Sequence, residues 1–179
     1  MKTHRFSLLL ATVCTAAALA TAQADTKTLH YPTQDATMFS IDAPAEWEVT
    51  EIAEVGEFGT LESEGGSVLQ FRAVECDSEE DAKAEIDAIF DSTAEFLEEN
   101  YTDIQLDDPK EINVEGQPGA QLVGTGKDKD GDSVQFLSAM IALGPTTVAE
   151  VWAAAYADDV PSAQAVLQSF KPTGSSGGE

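Results

Sequence analysis

Positive charge is scarce in this chain: its 179 residues hold nine Lys and Arg against 33 Asp and Glu. With no basic patch to neutralise phosphates or release counterions, nucleic acid is excluded as a partner. Docking on anionic membranes is disfavoured for the same reason. Cysteine is as rare. Of the two, Cys14 lies in an amino-terminal leader, so Cys76 alone remains and no intramolecular disulfide can staple the fold. Histidine is limited to His4 and His30, which with one thiol make no transition-metal ligand cluster. No apolar run reaches the roughly 20 residues that a membrane-spanning helix needs. The longest, Phe6 to Ala20, has 15.

That run has the layout of an export signal. Lys2, His4 and Arg5 precede it, and the small-residue site Ala22-Gln23-Ala24 follows, ahead of the polar Asp25. Cleavage is expected after Ala24, giving a signal peptide at 1–24 and a soluble mature chain from Asp25 to Glu179, periplasmic or secreted. Cys14 does not make this a lipoprotein signal, which wants a small residue before the cysteine where this chain has the branched Val13. The mature chain keeps all 33 acids and seven basic residues, a net charge near −26. Such an acidic surface suits salty surroundings, since screening shortens to about 3 Å at 1 M salt and self-repulsion fades. Halophilic adaptation and a surface that holds cations or a basic partner both fit.

The mature 155 residues suit one domain with a real core. Residues 25–172 read as a single domain without internal repeat or linker, and 173–179, rich in Gly and Ser, as a flexible C-terminal tail. A first run of strands is expected at Thr28–Tyr31, Met38–Asp42, Trp47–Ile52, Glu57–Ser63 and Ser67–Glu75. Glu64-Gly65-Gly66 reads as a hairpin turn between the last two. Leu69, Phe71 and Ala73 alternate onto one face, Gln70 and Arg72 onto the other. A helix of about 22 residues follows, capped by Ser78 with acids at 79–81 complementing its dipole. Its apolar stripe is Ala82, Ile86, Ile89, Phe90, Leu97 and Tyr101.

A second run covers Ile104–Leu106, Glu111–Val114, Ala120–Gly126, Ser133–Leu143 and Thr146–Ala154. Asp130-Gly131 sits where a type I′ turn is expected. Ser133–Leu143 is apolar on both faces and needs cover on both. A second helix supplies part of it, capped by Asp158 or Asp159, with Pro161 in the first turn and Val160, Ala163, Val166, Leu167 and Phe170 as its stripe. Hairpin-linked strands with helices packed on them make an α+β fold, an antiparallel β-sheet flanked by helices.

Three segments in this order resemble the PsbP/Mog-like α/β/α sandwich superfamily and its bacterial exported, DcrB-type members. They are Phe39-Ser40-Ile41-Asp42-Ala43-Pro44 running to Trp47, Gly116-Gln117-Pro118-Gly119-Ala120, and Val166-Leu167-Gln168-Ser169-Phe170-Lys171-Pro172. Together they span roughly 36–172. The resemblance implies a non-catalytic domain that docks on other proteins, such as photosystem II subunits, a Ran-type GTPase or envelope assemblies. It carries no catalytic motif. The photosynthetic members have comparatively lysine-rich docking surfaces, and seven basic residues in the mature chain argue against a photosystem role.

The remaining motifs point away from chemistry. Asp128-Lys129-Asp130-Gly131-Asp132-Ser133 alternates carboxylates as a calcium loop does, but an EF-hand needs Gly at position six and Glu at twelve; here Gly131 is fourth and Ala139 twelfth. An acidic hairpin tip is the plainer reading. Gly124-Thr125-Gly126-Lys127 is a fragment of a phosphate loop, with Gln121 in place of the first glycine and Asp128 after the lysine. Cys76 and His30 are the thiol and imidazole left for nucleophilic catalysis, His30 near a flexible terminus, and no Gly-x-Ser-x-Gly elbow is present. Cys76 reads as a small apolar packing residue of slow reactivity, flanked by Glu75 and Asp77. Carboxylates are too abundant for a glycosidase-like pair to be picked out by counting. Trp47 and Trp152 are expected in the core.

No catalytic, metal or ligand-binding residue and no cofactor is therefore assigned. The expectation is a monomeric binding or accessory module, not an enzyme, that docks on an envelope or periplasmic protein through its sheet-end loops. A small-ligand or divalent-cation-binding protein using the 128–132 loop is the alternative, and a hydrolase the remotest one.

Overall fold

The computed structural model describes residues 25–49 and 54–173, so the expected leader, its cleavage after Ala24 and the tail beyond Thr173 lie outside the described residues. Strands β1 (Thr26–Tyr31), β2 (Phe39–Pro44), β3 (Glu48–Val49), β4 (Gly59–Glu62) and β5 (Val68–Glu75) lead to helix α1 (Glu79–Asn100). Strands β6 (Thr102–Leu106), β7 (Lys110–Val114), β8 (Gln117–Lys127), β9 (Ser133–Gly144) and β10 (Thr147–Tyr156) precede helix α2 (Val160–Gln168) and the short β11 (Lys171–Pro172). The main sheet runs β3-β4-β5-β10-β9-β8-β6, with β7 also on β8, and every pairing is antiparallel. The expected strand Trp47–Ile52 is described only as far as Val49; its remainder falls on residues 50–53, outside the described ones.

Alternation along β9 builds two cores at once. Leu137, Ile141 and Leu143 face α2, where Ala163, Val166 and Phe170 close over them. Val134, Phe136 and Met140 face α1 and meet its Ala82, Ile89 and Leu97. Double burial is why the strand reads as nearly continuous apolar sequence.

The layer beyond α2 is more than a helix. β1, β2 and β11 form a separate three-stranded sheet that lies beside α2 over the same face. Its Phe39 stacks on Tyr31 at 5.0 Å and on Phe170 at 4.7 Å, with Phe71 of the main sheet edge-on at 6.2 Å. Truncating a ring of this kind costs about 3–5 kcal/mol. Thr173 belongs to this sheet's edge and not to a loose tail: its N–H donates to Met38 O and its hydroxyl to Thr37 O.

Ser78 caps α1 as expected, accepting the Asp81 N–H at 3.1 Å. Asp159 stands at the N-cap of α2 but does not cap it. Its Oδ2 accepts the hydroxyls of Ser63 and Ser67 at 2.6 and 2.7 Å, charge-assisted bonds that outcompete a backbone N–H. The type I′ turn is also elsewhere. At Asp130-Gly131 only Gly131 has positive φ, whereas Glu115 and Gly116, between the paired Val114 and Gln117, both do (50° and 90°).

Candidate functional site

Among the described residues, polar groups buried beside solvent-open rings meet in a cleft between α1, the loop before β4 and the strands β5 and β10. Its volume is about 430 Å³. Arg72 of β5 and Glu150 of β10 are register partners at its base. The Arg72 Nε–H donates to Glu150 Oε2 at 2.6 Å. Glu150 is buried, with 4% of its surface exposed. Burial pushes its carboxyl pKa up, the Arg72 hydrogen bond and charge pull it back, and the nearby Glu85 adds a smaller upward push. A lone carboxylate there would be unfavourable by several kcal/mol, so the pair holds together as a unit.

Aromatic rings wall the cleft. Phe58, carried by the loop before β4, lies under the Arg72 guanidinium with Cζ 4.4 Å from its centroid, a cation–π contact. That loop is held from beneath by Tyr31, whose phenol accepts the Gly56 N–H and donates to Glu57 O, both at 2.9 Å. Trp152 of β10 donates its indole N–H to Gln70 Oε1 at 3.0 Å and meets Phe96 of α1 edge-on at 5.5 Å. Tyr101, at the end of α1, packs on Phe136 at 4.8 Å; burial and then the Asp128 charge push its phenol pKa up. Phe96 and Phe58 are 43% and 36% exposed, so the rings on opposite walls face solvent.

The sequence missed most of this cleft. Phe96 falls one residue off the α1 stripe, next to the buried Leu97. Glu150 interrupts the apolar run Val148-Ala149-Glu150-Val151, and Arg72 is one of few basic residues; a charge of each sign inside two adjacent strands was the available signal. Trp152, expected in the core, is half-buried at the cleft because its face of β10 is the one that α1 only partly covers. Trp47 is buried in the core as expected. The exposed rings Phe58 and Phe96 thus gather beside α1, Phe58 from the loop that leads into β4.

The other singled-out residues each have contacts within the fold. Asp128 closes its own hairpin: Oδ1 accepts the N–H groups of Asp130 and Asp132 at 2.9 Å, and Oδ2 the Tyr156 hydroxyl at 2.7 Å. A carboxylate so engaged is poorly placed to bind a cation, and among the described residues no three His, Cys, Asp or Glu side chains group as a metal site would need. Gly124 and Gly126 lie mid-strand in β8; a Cβ there would strike Leu106 Cδ2 at 2.4 Å and the Phe136 ring at 2.8 Å. They let β6 and Phe136 approach closely and do not cradle a phosphate. Cys76 is half-buried against the cluster of Ala82, Ile89, Met140 and Val148, and its thiol pKa is pushed up by burial, then by Glu85, Asp81 and Asp77. His30 sits within β1 opposite Ser40, not in a loose terminus, with Nδ1 3.4 Å from the Thr37 hydroxyl.

A larger hollow of about 590 Å³ opens on the α2 face, where the small sheet stops short of β7 and β8. Its floor is Ile112, Val123, Leu137 and Ile141, and Gln164, Gln168 and Lys171 stand among its lining residues. It holds no buried ion pair and no exposed ring, so size alone does not make it the better site. Among the described residues no helix is long and apolar enough to cross a membrane.

The same architecture occurs in solved structures. The solution structure of cyanobacterial PsbP (CyanoP) from Synechocystis sp. PCC 6803 superposes with a TM-score of 0.58 at 13% identity, over 86% of this chain and 95% of that one. A crystal structure from Bacteroides thetaiotaomicron VPI-5482 superposes with a TM-score of 0.50 at 13% identity, over 75% of this chain and 45% of that one. No protein-family model matches the chain, and no curated protein does. The fold is PsbP-like, an α+β arrangement of antiparallel sheets and two helices.

Proposed function

We propose that the mature chain is an exported, non-catalytic binding or accessory module that docks, as a monomer, on a protein of the envelope or periplasm. The observation that carries this reading is the pair of solvent-open rings, Phe58 and Phe96, on either side of Trp152 and Arg72. Trp, Tyr and Arg in a recess that excludes most water are the residue types that dominate interface energies. Large apolar side chains left open on a surface mark contact sites more often than accidents. The PsbP-like fold and the leader at 1–24 support the same reading, the first through a superfamily of docking domains, the second through export.

The test is crosslinking in the native cell from a photoreactive phenylalanine analogue at position 96, with the same analogue at the solvent-facing position 108 as control. One discrete captured protein, present only from position 96, is the expected result. Identical adducts from both positions, or turnover of a substrate by the purified protein, would sink the proposal.

A further inference from the structure

The cleft lies in a strongly negative part of an already acidic molecule. Helix α1, which lines it through Ser92, Thr93 and Phe96, carries nine acids along its length and one base, Lys83, which Glu79 pairs at 2.8 Å. Arg72 is the one basic residue among those lining the cleft, and Glu150 neutralises it. Glu150 is hydrogen-bonded through Oε2, and Oε1, without a protein partner among the described residues, keeps contact with solvent at the cleft. Above it stand Phe96, Trp152 and Tyr101, whose ring faces carry the negative side of an aromatic quadrupole. The contact of Arg72 with Phe58 is one cation already held on such a face at this site. A net charge of −24 over the whole sequence repels acidic occupants and steers basic ones towards the surface.

We infer that the cleft receives an arginine side chain from a basic segment of the partner protein, its cationic head set against Phe96 and Trp152 and within reach of Glu150. The inference rests on the docking reading above and adds the partner's chemistry. Attraction between the two surfaces is long-ranged and weakened by salt. Selection of the inserted side chain is short-ranged and depends on the rings.

Those two parts separate in one experiment. The probe is a Gly/Ser peptide with a central arginine flanked by two lysines, compared with the same peptide bearing citrulline, its neutral isostere, at the centre. Trp152 emission reports binding, since Trp47 is buried in the core. Citrulline is expected to weaken binding about tenfold. In Phe96→Ala, whose exposed site tolerates truncation, that difference should fall to the small, salt-sensitive remainder that the one lost charge accounts for. Equal binding of both peptides to the unmodified protein would overturn the inference, and so would a tenfold difference that survives Phe96→Ala. Capture from position 96 tells the two proposals apart: a specific partner whose captured segment lacks Arg refutes the inserted arginine and keeps the docking. Failure to capture a specific partner removes the docking itself.

Discussion

At the end of β10 the Tyr156 phenol donates to Asp128, tying the β8–β9 hairpin tip to the neighbouring strand. The pair makes stability depend on pH at both extremes. The hydrogen bond to Asp128, with burial second, pushes the Tyr156 pKa up to about 12 from 10, so its contribution is whole below pH 10 and lost as pH rises through 12. Asp128 is held below its ordinary 3.8, first by the same hydroxyl and then by the Asp132 N–H, so its contribution is whole above 3.8 and lost as pH falls through the depressed value. Melting temperatures of the native protein and Tyr156→Phe should differ most between about pH 4 and 10 and converge beyond each end. A constant offset at every pH would contradict this. Single residues of this kind were the least legible in the sequence. Asp128 invites a cation and Trp152 a core, because residue type gives the chemistry of a side chain but not the partner that uses it.

Helix α1 was legible almost to the residue, since a capped, 22-residue stripe at helical spacing has one reading. Its two ends are unequal. Glu79, Glu80 and Asp81 favour the N-terminus, but the last turn has no base, and Glu98 and Glu99 oppose the dipole there. Buried Leu97 and its carbonyl bond from the Tyr101 N–H hold that end instead. Glu98→Lys and Glu99→Lys should each stabilise by about 0.5 kcal/mol at low ionic strength. The gain should shrink in 1 M salt, as parallel melts would record; unchanged or lower melting temperatures would count against it. Turn types were less legible than the helix, because loop length selects them and register sets the length. The pair Val114 and Gln117 leaves two residues for a type I′ turn, whereas Lys127 and Ser133 leave five.

For the whole molecule, local pattern yields the number of layers but not what completes the second one. β11 pairs Lys171 with Ser40 and Pro172 with Phe39, residues about 130 positions apart, and no periodicity announces such a meeting. The carboxyl-terminal segment is therefore part of the main core. A chain ending at Gln168 should lose its cooperative urea transition, and Phe170→Ala should lower stability by about 3–5 kcal/mol. A truncated chain that unfolds with the native midpoint would refute this.

That late pairing also has a consequence in time. A chain leaving the ribosome presents β1 and β2 early, with Tyr31, Phe39 and Ile41 and nothing to lay over them. The ring that closes on Phe39 is made about 130 residues later, at Phe170. Contacts so distant in sequence delay folding. The domain cannot shut before Phe170 and β11 have been made: until then the growing chain stays open along β1 and β2.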